Sequence, residues 1–186
     1  MIDTQLLKAC KRKDRMAQHQ LYKRCFSFLM SVCVRYKDDH DEARAILNMG
    51  FLKILTNLDK YKSSVPFEAW SRRIMINTII DEFRKNRKER ETIEYSNFEQ
   101  VEEYNTHIDF NTADRQFDAE ELEMMIKTLP EMSQKVFNMF AIDGYSHKEI
   151  SNMLGMSTGT SKWHVSSARK ALKLMIKEKL AVSSRK

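Results

Sequence analysis

The chain has 186 residues, 31% of them charged, with four Gly, two Pro and a net charge of +6. That is room for one or two small domains, and a composition so poor in turn residues and rich in helix formers predicts an all-α protein. Residues 1–90 carry 20 basic against 11 acidic side chains, residues 91–123 carry 1 against 11, and residues 124–186 carry 11 against 4. Two basic blocks around an acidic connector suit a chain that touches a polyanion twice, although one such block alone suits a solvated surface equally well.

No apolar run approaches the roughly 20 residues needed to cross a bilayer, and MIDTQLLKACKRKDRM lacks the apolar core of a signal peptide. A cytoplasmic protein without membrane insertion is expected. Cys10, Cys25 and Cys33 are odd in number and have neither CxxC nor His spacing. They read best as small buried apolar residues, with a redox role left open.

In chain order, residues 4–13 suit a short helix with Leu6, Leu7 and Cys10 on its apolar side. A longer helix follows Asp14, with Leu21, Cys25, Phe28, Leu29, Val32 and Tyr36 at helical spacing. A third, from Asp41 to Leu58, begins with acids that favour a helix N-terminus, and lines up Ala43, Ile46, Leu47, Phe51, Ile54 and Leu55. Tyr61, Lys62, Ser63 and Ser64 interrupt the pattern, and Pro66 fits the first turn of a fourth helix reaching Arg90.

That fourth helix carries Ile76, Ile79, Ile80 and Phe83 on one flank and a polar stripe of Trp70, Arg73, Asn77, Asp81, Arg84 and Lys88. Rings stack on unpaired bases, an amide reads base edges and cations hold phosphates, so the stripe suits opened nucleic acid. The same spacing equally suits a core Trp on a helix with a basic, solvated end.

Residues 91–117 lose helical periodicity and are acidic, predicting a linker that avoids duplex DNA. Domains are therefore expected at 1–90 and 118–186. Asp118 suits the N-cap of a helix bearing Leu122, Met125, Ile126 and Leu129, ended by Pro130. A further helix from Ser133 to Ile142 offers Val136, Phe137 and Phe140 to the core.

The stretch from Gly144 to Lys173 then reads as two short helices about a tight turn. Ser146 and Glu149 form a capping box, Ile150, Met153 and Leu154 an apolar stripe, and Gly155 the stop. Ser157 and Thr158 can cap a second helix whose inward side is Val165, Ala168, Leu172 and Ile176. Its polar side carries Thr160, Trp163, His164, Ser167 and Lys170. This arrangement suits a helix-turn-helix whose second helix enters a major groove, in preference to an ordinary helical hairpin.

Catalytic patterns are missing. There is no Gly-rich phosphate loop, GxSxG or HExxH, and the five His, at 19, 40, 107, 147 and 164, are scattered. His147 and His164 read as polar residues near DNA. The twelve Met read as core filler, with a Met-rich partner groove as the alternative.

Taken together, the two modules resemble an alternative sigma factor of bacterial RNA polymerase, of the extracytoplasmic-function type. Phe67, Trp70, Ile74, Asn77, Asp81 and Arg84 fall in register on that family's first-module pattern. Leu129, Pro130, Val136, Phe137, Glu149, Ile150, Gly159, Thr160 and Lys162 match its second. The resemblance implies a promoter-specificity subunit, with no enzymatic activity and no cofactor or metal. It would bind core polymerase and promoter DNA, and an anti-sigma factor is a further expected partner.

By the same resemblance, Tyr61, Lys62, Ser63, Ser64, Trp70, Arg73, Asn77, Arg84 and Lys88 would hold the melted minus-ten strand. Lys148, Thr160, Ser161, Lys162, Trp163, His164, Ser166, Ser167 and Lys170 would read the minus-thirty-five duplex. Ala45, Asn48, Met49, Phe51 and Leu52 would dock on the clamp of the largest polymerase subunit. Ala45, Asn48 and Met49 stand where many relatives carry an acid, Gln and Glu, and Trp163 is bulkier than the usual residue.

Overall fold

A computed structural model describes residues 2–91 and 118–183, and among them every regular element is helical. The expected acidic linker, 91–117, lies almost wholly outside the described residues, as do the side chains of Lys88 and its neighbours. The chain divides into two compact units, 1–94 and 95–186.

The first unit holds α1 (Thr4–Lys11), α2 (Arg15–Val34), α3 (His40–Thr56), a 3₁₀ turn at Leu58–Lys60, and α4 (Phe67–Glu91). The starts of α1, α2 and α3 are set by aspartates. Asp3 accepts the N–H of Gln5, Asp14 those of Met16 and Ala17, and Asp39 that of Glu42, each cap contributing about 1 kcal/mol. The third helix, expected from Asp41, begins one residue earlier at His40, with Asp39 as its N-cap. Lys13, between α1 and α2, takes a left-handed backbone at φ 63°, an unusual conformation for a side chain with a Cβ.

The core of this unit is mainly apolar. Leu21, Cys25, Leu29, Val32, Leu47, Ile54, Leu58, Met75, Ile76 and Ile79 are at most 1% exposed. Helices α3 and α4 pack closely at Gly50, where a Cβ would lie 2.5 Å from the buried Met75 thioether. The three thiols belong to this core: burial pushes Cys25 and Cys33 up to about 12 and raises Cys10 as well. Such thiols stay protonated and unreactive.

The second unit holds α5 (Ala119–Lys127), α6 (Glu131–Phe137), α7 (His147–Leu154) and α8 (Thr158–Ser183). Asp118 caps α5 by accepting the N–H of Glu121. The helix foreseen from Ser133 to Ile142 starts at Glu131 and, past Phe137, widens into one π turn over Asn138–Ile142. Met125, Leu129, Phe137, Ala168 and Leu172 form an apolar cluster of α5, α6 and α8. The first unit buries Ser71 and Thr78, whose hydroxyls donate to carbonyls of their own helix; this unit buries more polar groups, Ser133, Gln134, Lys135, Asn138, Ser161 and His164. The methionines divide between roles: Met30, Met75, Met125 and Met139 are core, whereas Met16 and Met124 are largely exposed.

Candidate nucleic-acid interfaces

In the first unit, the polar edge of α4 faces a groove shared with α3. Tyr61, Phe67 and Trp70 form a mutual aromatic cluster, with centroid separations of 5.1 to 5.5 Å. The Tyr61 hydroxyl donates to the Val65 carbonyl at 2.8 Å, closing the loop between the helices. Trp70 is half-buried, so it is both a brace for that loop and an accessible ring edge. The reading of Trp70 as a core residue therefore holds in part.

A cavity of about 330 Å³ opens beside it, lined by Lys53, Lys60, Trp70, Asn77 and Asp81 among others. Lys53 of α3 reaches Asp81 at 3.2 Å, which offsets the one carboxylate on this edge. Arg73, Asn77 and Arg84 are exposed along α4, as are Lys62, Ser63 and Ser64 in the loop. Rings, an amide and cations around a pocket of this size can accept an unstacked base and the phosphates beside it.

A different face of the unit is the outer side of α3. Ala45, Asn48, Met49 and Leu52 are exposed, Leu52 to 62%. Phe51 is not part of it: its side chain is 7% exposed and packs edge-on against Tyr22 at 5.0 Å. Being four residues from Leu47 and three from Ile54, Phe51 turns inward with them. The Tyr22 hydroxyl also donates to the side-chain Oδ1 of Asn48 at 2.9 Å.

In the second unit, α7 and α8 make the tight pair that the sequence suggested. The Ser146 and Glu149 capping box is complete, and Gly155 adopts φ 68°, ψ 38°, returning its N–H to Ser151. Only a residue without a Cβ takes that left-handed position freely. The Ser157 hydroxyl accepts the N–H of Thr160 at 2.9 Å just before α8. Lys148, Lys162 and Lys170 are exposed, and Thr160, Trp163, Ser166 and Ser167 are half-exposed.

Ser161 and His164 are corrected by the structure. They lie on the inward side of α8 with Val165 and Ala168, at the i, i+3, i+4 and i+7 positions of one stripe. Ser161, fully buried, bonds His147 Nδ1 at 3.0 Å, and His164, 4% exposed, bonds the Ser133 hydroxyl at 2.9 Å. Neither side chain is available to a groove. His147 is likewise a packing residue: its ring stacks on Phe140 at 4.3 Å and 15°, and Arg169 covers the same Phe140 ring at 5.7 Å. Burial lowers the pKa of both histidines, and Lys162 and Arg169 lower that of His147 further. The π turn carries Phe140 to this stack, a role that residue spacing alone does not signal.

The fold and these two basic faces define an all-helical DNA-binding protein with a helix-turn-helix. Residues 21–89 match the family Sigma-70 region 2, and residues 119–172 match Sigma-70, region 4. The chain belongs to the sigma-70 family of RNA polymerase sigma factors, in its extracytoplasmic-function branch. It is 24% identical over 176 residues to the RNA polymerase sigma-H factor of Pseudomonas aeruginosa, covering 91% of each chain. It is 22% identical over 151 residues to the ECF RNA polymerase sigma factor EcfG of Rhodopseudomonas palustris, covering 80% of this chain and 78% of that one. Among solved structures, the sigma factor RpoE from Bartonella quintana, in complex with the anti-sigma factor NepR, shares the fold. Its TM-score is 0.50 at 19% identity, over 86% of this chain and 96% of that one.

Family membership makes this chain a promoter-specific transcription initiation factor rather than an enzyme, with core RNA polymerase and promoter DNA as its partners. Among the described residues, no helix is long and apolar enough to cross a membrane.

Proposed function

We propose that the chain delivers core polymerase to promoters by reading two DNA elements in two physical states. In this reading the second unit reads minus-thirty-five duplex through the outward face of α8: Thr160, Lys162, Trp163, Ser166, Ser167 and Lys170, with Lys148 of α7 beside them. Ser161 and His164 hold that helix in place instead of touching bases. The first unit captures the melted minus-ten strand with Tyr61 to Ser64, Trp70, Arg73, Asn77 and Arg84, and Lys88 continues the stripe. The exposed ridge of Ala45, Asn48, Met49 and Leu52 meets the polymerase clamp, resting on the buried Phe51.

The observation that carries this reading is the groove beside Trp70. A pocket lined by an aromatic ring, an amide and lysines serves an unpaired base and would be of little use to a protein that binds duplex alone. Free energy for melting comes from base capture and polymerase contacts, through binding that favours the opened state. The acidic linker keeps both readers on the DNA by repelling it between them, and acts in the cytoplasm with the polymerase. An anti-sigma partner that covers one of these faces is part of the same reading.

Run-off transcription on a genomic library with purified core enzyme tests it. Specific initiation is expected from wild type, and Trp70→Ala together with Asn77→Ala should lose open-complex formation while retaining binding to closed duplex. Specific duplex binding by the free protein without any core-dependent initiation would overturn the proposal.

A further inference from the structure

The sigma-70 region 4 match ends at residue 172, yet α8 runs on without a break to Ser183. This extension is packed in place. Lys179 reaches Glu121 of α5 at 3.0 Å, the Thr128 hydroxyl meets the Met175 sulfur at 3.4 Å, and Met175 and Ile176 lie against the apolar cluster of α5, α6 and α8. With that side fixed on α5, the opposite side of the extension faces outward. There Lys162, Ser166, Lys170, Lys173 and Lys177 recur at steps of three and four, one stripe of about 22 Å on an α-helix. Lys162, Lys170, Lys173 and Lys177 are all exposed. Between Thr158 and Ser183 the sequence has six basic residues and one acid, Glu178, and Glu178 falls off the stripe.

A groove-reading helix touches base edges with its N-terminal turns, and as it leaves the groove its later turns pass the phosphates along the rim. Lysines in line with the reading face but beyond those turns therefore meet the phosphate backbone. We propose that the α8 extension is a second, sequence-independent duplex contact, in which Lys173 and Lys177 grip phosphates flanking the element that the first turns read. The contact rests on the assignment of α8 as the minus-thirty-five reader. Its effect is to add affinity and salt dependence without adding sequence preference, since phosphates carry no base identity.

The test uses full-length protein bound to core polymerase, on a promoter recovered by the run-off experiment and on a copy with its minus-thirty-five element scrambled. In the double variant Lys173→Gln, Lys177→Gln, affinity for both DNAs should fall by the same factor. The slope of log affinity against log salt should become shallower by about 2, one unit for each lost phosphate contact. The Lys173→Arg, Lys177→Arg variant should keep the wild-type slope. An unchanged slope in the Gln variant, on a wild type that distinguishes the two DNAs, overturns the phosphate contact alone. A wild type that binds both DNAs equally overturns the reader assignment and the contact with it. Weakened binding of the Gln variant to core polymerase in the absence of DNA would make the stripe's partner an acidic protein surface and would overturn the proposal.

Discussion

The two units are stabilised in different ways. In the first, the buried hydroxyls of Ser71 and Thr78 bond only carbonyls of their own helix, and its helices pack by volume: Leu29, Leu47, Met75 and Ile76 are buried, and Met75 fills the space that Gly50 leaves. The second spends buried positions on Ser133, Ser161 and His164, whose hydrogen bonds tie α6, α7 and α8 together. Apolar contacts tolerate small slips of one helix over another, whereas a hydrogen bond between two buried groups fixes angle and distance. The unit proposed to set a helix into a groove has the directional contacts.

Four experiments break or sharpen that contrast. Trp70 lies in the first unit and Trp163 in the second, so Trp163→Phe and Trp70→Phe backgrounds follow each unit separately by fluorescence in urea. The largest effect is expected from Leu29→Ala, which opens a cavity in the apolar core and should cost the first unit about 3 kcal/mol while the second unit's midpoint stays unchanged. Next, Ser133→Ala strands the buried His164 ring nitrogen and should cost the second unit about 1 to 3 kcal/mol. A loss much smaller than that would mean that the polar core is dispensable.

The pH dependence comes third. His147 and His164 titrate below the ordinary histidine value of 6.5 in the folded protein. The unfolded chain then binds more protons in acid, so stability from this source is complete above about 6.5 and is lost as pH falls from there through the folded pKa values. The second unit's urea midpoint should therefore drop in that window, and His164→Gln should reduce the drop. In the first unit, where no histidine is buried, the midpoint should move less. The smallest effect is a gain: Lys13→Gly relieves the left-handed backbone at φ 63° and should raise the first unit's stability by up to about 1 kcal/mol. No change or a loss there would show that the Lys13 side chain earns its place by contacts.

Much of this was legible from residue spacing because it is local. The Ser146–Glu149 box, the Asp118 cap and the Gly155 stop each depend on residues a turn apart, and all three appear where the pattern puts them. The apolar stripes of α2 and α3 were equally readable, down to the buried thiols. What spacing could not settle was which polar residues of a helix turn inward. His164 reads from its spacing as part of the polar side and Ser161 from the family resemblance as a groove reader, and only partners on α6 and α7, distant in sequence, satisfy them when buried. The π turn at Asn138–Ile142 left no signal either, since one shifted hydrogen bond changes no residue type. Phe51 is a milder case: its spacing with Leu47 and Ile54 marked it as core, and the family resemblance placed it on the docking face.

The hydrogen bond from Tyr22 to Asn48 has a kinetic consequence. Asn48 belongs to the ridge proposed to meet polymerase, and a residue of another helix holds its rotamer before any partner arrives. Ordering a free side chain at an interface costs about 0.5 to 1.5 kcal/mol, and differences of that kind surface mainly in how long a complex lasts. On the proposed docking, a change at Tyr22, which lies outside the ridge, is expected to alter the lifetime of the holoenzyme.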